Sequence, residues 1–151
     1  MFASLLAGLI LTAATIAVHA GGTAWYIART RRKHAMRMAP VSRVRVFRVL
    51  LFAAVTLLTL HLIEVSIWAA VYVFLPGETG VTTFEDAVYF STVTFTTLGY
   101  GDITLSGGWR MLSAIQAAVG LLIFGWSTAI LIAIVQSIWG GERVSRERSD
   151  E

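Results

Sequence analysis

Three long apolar stretches separated by two polar ones set the pattern of this chain: Phe2 to Ala28, Val49 to Leu75 and Met111 to Trp139. Each can cross a hydrocarbon core of about 30 Å, which takes roughly 20 helical residues. The pattern predicts an all-α integral membrane fold with three transmembrane helices. The second polar stretch has structure of its own. Pro76-Gly77-Glu78-Thr79-Gly80 carries turn chemistry and ends the second span. Thr82-Thr83-Phe84-Glu85 then reads as a capping box, with Glu85 and Asp86 placing negative charge in a first helical turn. The helix that follows, about 85–96, is near 18 Å long at about 1.5 Å per residue, too short to cross. It enters the membrane and returns as extended chain. Non-helical backbone at that depth is stable only when buried in protein or lining a water-filled path.

Composition sharpens this picture. A chain of 151 residues that is 56% hydrophobic and 14% charged holds more apolar surface than a soluble domain of its size can bury. There is no cysteine, which excludes disulfides and thiolate metal sites. Basic residues crowd between the first two spans: Arg29, Arg31, Arg32, Lys33, Arg37, Arg43, Arg45 and Arg48. The positive-inside rule makes that loop cytoplasmic, together with the tail bearing Arg143, Arg146 and Arg148, and leaves the N-terminus and the stretch from Pro76 to Trp109 outside. Arg43, Arg45 and Arg48 sit at a membrane edge, where they mark topology and suit anionic lipid, not a voltage sensor. Val18-His19-Ala20 resembles a signal-peptide cleavage site, but Met1 to Gly8 has no Lys or Arg and the apolar run continues to Trp25-Tyr26, so the first helix is expected to be retained. Its small residues recur at four-residue spacing, Ala13, Ala17, Gly21 and Ala20, Ala24, Ala28, which predicts close packing against the second span.

His61 and Glu64 lie mid-span on one helix face, and an ionisable pair at that depth is expected to face protein. It is either a proton sensor or gating contact, or a mutually satisfied pair that locks two helices; the second reading is preferred. His19, His34 and His61 are not at ligand spacing along the sequence, and no catalytic constellation is present. No enzyme activity, cofactor or nucleic-acid partner is expected.

The remaining question is the run TFTTLGYGDI, Thr94 to Ile103. On the returning limb of a re-entrant loop its carbonyls need partners that neither lipid nor a neighbouring strand supplies. Glycines at 99 and 101 permit left-handed backbone at alternate positions, so successive carbonyls can share one side and a dehydrated cation can meet them. Thr96-Thr97-Leu98-Gly99-Tyr100-Gly101-Asp102 resembles the selectivity filter of the potassium channel family, a loop lined by rings of backbone carbonyls. The resemblance extends over about Val46 to Trp139, including Phe84 to Ser91 and Trp109-Arg110.

The apolar and basic runs divide the chain into a first helix at 1–28, which has no counterpart in a minimal two-helix pore module, a basic linker at 29–48 and a short cytoplasmic tail at 140–151, and the resemblance implies a pore domain at 49–139. Within the pore domain it implies an outer helix at 49–75, a pore helix at about 85–96, a filter at 97–101 and an inner helix at about 109–139. The carbonyls of Thr97, Leu98, Gly99 and Tyr100 and the Thr97 hydroxyl would hold K+, with Gly101 completing the filter. Leu98 and Tyr100 would pack behind it, and Asp102 would lie at the outer mouth. Tyr89 and Phe90 stand where relatives carry bracing tryptophans; Tyr89 can donate to Asp102, whereas Phe90 has nothing to donate to Tyr100. Val93 stands where some relatives have a glutamate. The pore helix would aim its C-terminal end, near Thr96, at the cavity. Gly120 is either an inner-helix hinge or a close-packing position. Ala117, Leu121, Phe124, Thr128 and Ile132 form a stripe that would line the pore. The implied protein is a homotetramer, four copies around a four-fold axis, passing K+ passively through a prokaryotic plasma membrane and in contact with membrane lipid. A weakly selective cation channel and a non-conducting membrane subunit are the alternatives.

Overall fold

The computed structural model describes residues 2–34, 42–75 and 80–147, with side chains described for 2–30, 42–75 and 80–137. The elements are α1 (Phe2–His34), α2 (Arg43–Val73), α3 (Phe84–Phe95), a 3₁₀ turn (Gly107–Trp109) and α4 (Arg110–Glu147). Three of these helices, α1, α2 and α4, are long and apolar enough to cross a membrane. The short α3 lies between the second and third. Residue 1, residues 35–41 of the basic linker, residues 76–79, on which the predicted turn falls, and residues 148–151 lie outside the described residues.

Helix limits differ from the hydropathy limits for a physical reason: hydropathy marks where lipid ends, and a helix can continue into the polar interface. α1 runs on past Ala28, and α2 begins at Arg43, so much of the predicted 29–48 linker is helical. Ser42 starts α2 by accepting a hydrogen bond from the Arg45 amide at 3.3 Å. At α3 the cap falls one residue later than the sequence suggested. Thr83 is the N-cap and accepts from the Asp86 amide at 3.0 Å, while the Asp86 carboxylate accepts from the Thr83 amide at 3.0 Å and from the Thr82 hydroxyl at 2.6 Å. The reciprocal partner is Asp86, not Glu85. These bonds hold the Asp86 carboxyl below the ordinary carboxylate range.

The described core centres on Trp68, Ala69 and Tyr72 of α2, Ala87 of α3 and Leu112 of α4. α1 joins it through a stripe of Ser4, Gly8, Leu11, Thr15, His19, Thr23 and Tyr26, all buried. The predicted alanine and glycine stripes lie largely on the open side: Ala13, Ala17, Gly21, Ala24 and Ala28 are exposed, and Ala20 is half-buried. Polar side chains, not small ones, mark the interface. Gly8 and Gly22 are the exceptions, since a Cβ there would collide with the side chains of Ile115 and Leu60 respectively. α1 packs on α4 as well as on α2.

Two neutral hydrogen-bonded locks tie the helices together. Trp68 Nε1 donates to Thr15 Oγ1 at 2.9 Å, and the threonine donates in turn to the Leu11 carbonyl at 2.8 Å. Tyr72 donates to Gln116 Oε1 at 2.6 Å; Gln116 Nε2 donates to Ser91 Oγ at 2.7 Å; and Ser91 donates to the Val65 carbonyl at 2.8 Å. The second lock joins α2, α3 and α4. In hydrocarbon such bonds contribute on average about 0.6 kcal/mol each.

Candidate pore site

α3 ends where its sequence turns to threonine and glycine. The Thr97 amide donates to the Thr94 carbonyl at 3.0 Å, and the amides of Leu98 and Gly99 both reach the Val93 carbonyl, at 3.0 and 3.3 Å. Thr96, the C-cap, donates its hydroxyl back to the Thr92 carbonyl at 2.8 Å. Beyond this point the backbone alternates. Thr97 has φ 61°, Gly99 φ 56° and Gly101 φ 80°. The glycines occupy that region freely, but a threonine there costs roughly 1–2 kcal/mol. Such strain persists only where the surroundings over-determine it.

The surroundings are specific. Phe95 is fully buried, packed with Val65 of α2 and with Val119 and Ile123 of α4. Gly120 lies directly against it: a Cβ at position 120 would fall 3.2 Å from Phe95 Cα and closer still to its carbonyl group. α4 is one continuous helix through this point, and the contact favours the close-packing reading of Gly120. The base of the loop is thus seated on backbone.

At the other end of the loop, Tyr89 donates to Asp102 Oδ2 at 2.6 Å, tying α3 to the residue after Gly101. That bond holds the Asp102 carboxyl below the ordinary range and raises the Tyr89 phenol. Phe90 is buried against Tyr72, edge to face with ring centroids 5.0 Å apart. Leu98 and Tyr100 are 55% and 67% exposed, so the described residues leave more than half of each uncovered. Of the inner-helix stripe, Ala117 is half-buried and Leu121, Phe124, Thr128 and Ile132 are exposed.

The intramembrane pair is larger than the sequence suggested. His61 Nδ1 lies 3.3 Å from Glu64 Oε2, and His19 Nδ1 of α1 lies 2.9 Å from Glu64 Oε1. Ser127 Oγ of α4 closes the figure, 3.3 Å from His19 Nε2 and 3.2 Å from His61 Nε2. The reading that the histidines are not at ligand spacing is corrected for His19 and His61: spacing along the sequence is blind to residues on different helices. One signal was available, since His19 stands at the depth of a span just as His61 does. His34 lies outside the residues with described side chains.

Proton counting constrains this cluster. Each of its four contacts needs one proton, and the serine hydroxyl supplies one. The other three fit either two neutral imidazoles with a carboxylic acid, or one imidazolium, one imidazole and a carboxylate. Both arrangements are neutral overall, which suits full burial of His19 and Glu64.

Three helices long and apolar enough to span a membrane, with a short helix between the second and third, make this an all-helical membrane protein consistent with an ion-channel pore. A family model described as "Ion channel" matches residues 60–137, just over half of the chain, and the chain belongs to that family. It is a channel-family protein and not an enzyme. A stretch of 55 residues is 36% identical to the "Uncharacterized membrane protein YdjJ" of Bacillus subtilis (strain 168). That stretch is 36% of this chain and only 16% of that protein. No solved structure matches the chain.

Proposed function

We propose that this chain is the pore-forming subunit of a potassium-selective channel. The observation that carries the reading is the alternation of left-handed backbone at Thr97, Gly99 and Gly101 within Thr-Thr-Leu-Gly-Tyr-Gly-Asp. Backbone of that form can turn the carbonyls of Thr97, Leu98, Gly99 and Tyr100 toward a common axis, where they replace the hydration shell of K+. One loop cannot enclose an ion, so four copies meet on a four-fold axis. The exposure of Leu98, Tyr100 and Leu121 in the single chain supports this, because neighbouring copies would cover the first two and a central cavity would meet the third. The basic residues flanking the first two spans put them in the cytoplasm and the loop mouth, with Asp102, outside. There the aspartate adds negative potential that concentrates cations.

Weak cation selectivity is a second reading, favoured by one observation: Tyr89 braces Asp102, but Phe90 is turned into the core against Tyr72 and offers the filter no donor. Flux into liposomes under K+ and Na+ gradients separates the readings. Strong preference for K+ supports the proposal. Equal fluxes favour the second reading, and no flux from an intact tetramer would leave a non-conducting subunit.

A further inference from the structure

The third lock between the helices is built differently from the other two. Where α1 meets α2 through Trp68 and Thr15, and where α2, α3 and α4 meet through Tyr72, Gln116 and Ser91, neutral side chains suffice. At His19, His61 and Glu64 the same task of joining helices is given to three ionisable groups, which are expensive at membrane depth. Packing alone does not account for that choice.

From this cluster we propose a binding site for one divalent transition-metal ion of the zinc class, held by His19 of α1 and by His61 and Glu64 of α2. Two imidazoles and a carboxylate are a donor set suited to Zn2+, leaving one position for water. One ligand atom from each residue lies within 4.8 Å of the others. Tetrahedral Zn2+ with ligands at about 2.0–2.2 Å separates those atoms by roughly 3.4 Å, so small ring movements gather them. Ser127 completes the arrangement. When both Nδ1 atoms face the ion, both Nε2 atoms carry protons, and the serine oxygen can accept both. An outer acceptor of that kind orients the ligating rings. Trp126 lies edge-on to His19 and Phe124 against His61, so aromatic rings flank both histidines.

Charge and protons balance. The neutral cluster of four protons binds Zn2+ and one water, releases two protons, and becomes a neutral unit of Zn2+, Glu64 carboxylate, hydroxide and two imidazoles. The ion would join α1 to α2 and, through Ser127, fix the position of α4. This does not depend on which ion the pore passes.

The test is metal content of tag-free protein in detergent, measured after dialysis against micromolar Zn2+, with Co2+ as a spectroscopic probe. One ion per chain and the visible absorption of four-coordinate Co2+ are expected. Glu64→Gln preserves shape and hydrogen bonding and should weaken binding at least tenfold; Ser127→Ala should weaken it by about 10–100-fold, as outer partners do. His34→Ala should change nothing. An intact wild-type protein that retains neither metal would overturn the proposal and leave the cluster a closed hydrogen-bonded lock. Binding equally strong in Glu64→Gln and His19→Gln would overturn it too, by placing the metal elsewhere.

Discussion

Replacing Gly120 with alanine tests whether the loop is seated on α4 as its contacts indicate. The new Cβ would fall 2.9 Å from the Phe95 carbonyl carbon and 3.2 Å from its Cα, with the oxygen nearer still. Carbon atoms pack best at about 3.5–4.0 Å, so the end of α3 must retreat by on the order of 1 Å. All three atoms are backbone, and no rotamer change can relieve them. Phe95 cannot yield easily either, since it is enclosed by Val65, Val119 and Ile123. Overpacking of this kind costs about 1–3 kcal/mol, and a backbone obstacle puts it at the upper end. Alanine recovers up to about 1 kcal/mol in helix propensity over glycine, leaving a net loss of about 1–2 kcal/mol. Gly125 is the control, because a Cβ there meets nothing within 4 Å among the described residues. Thermal unfolding in detergent and K+ flux in liposomes should both fall for Gly120→Ala, because Thr97 begins two residues beyond the displaced Phe95. Both should hold for Gly125→Ala. If Gly120→Ala unfolds and conducts like wild type, α3 is not seated on α4 in this way. If both variants lose flux without losing stability, the glycines serve as hinges.

Gly99→Ala meets no clash, its nearest atom being the Thr97 carbonyl oxygen at 4.0 Å, so its cost is conformational, about 1–2 kcal/mol; the protein should remain assembled by size-exclusion chromatography while K+ flux is lost. Gln116→Leu leaves the buried Tyr72 hydroxyl without its partner and should cost about 1–3 kcal/mol in unfolding experiments, and adding Tyr72→Phe should recover part of that; no recovery would show that the lock is not a unit. Tyr89→Phe removes the donor to Asp102, whose carboxyl is held below its ordinary range by that bond. A depressed carboxylate contributes stability that is present above the unfolded pKa, about 3.9, and lost as pH falls through the lower folded value. Conductance should therefore fail at higher pH in the variant than in wild type, and identical acid profiles would show that the bond is idle.

Much of the fold was legible because it rests on strong local signals. Three apolar runs, a proline-glycine turn and a threonine cap give four helices in the observed order, and the capping partner moved by only one residue, from Glu85 to Asp86. The alternate left-handed positions at 99 and 101 were legible as well, since glycine announces them. Thr97 was not, because a threonine at φ 61° follows from how α3 ends on α2 and α4, not from its own preference. The face of α1 was misread for a related reason. Small residues at four-residue spacing mark a possible close approach, but Thr15 and His19 have specific partners, Trp68 and Glu64, that lie 53 and 45 residues away. A one-dimensional pattern does not carry pairings at that separation.

Those long-range pairings change what α1 can be. A helix held by lipid alone would slide or detach at small cost, since hydrocarbon offers no hydrophobic force between helices. α1 is instead joined to α2 at Trp68 and Glu64 and touches α4 at Ser127. Ser127 stands seven residues beyond Gly120, about two turns along the same helix from the point where the end of α3 is seated. Its hydroxyl meets both histidines, so a rotation of α4 that carried Ser127 away would break both contacts together and leave buried polar atoms unpaired. Such atoms cost about 1–3 kcal/mol each. Movement of α4 is therefore opposed by α1, a helix that lies outside the family match at residues 60–137.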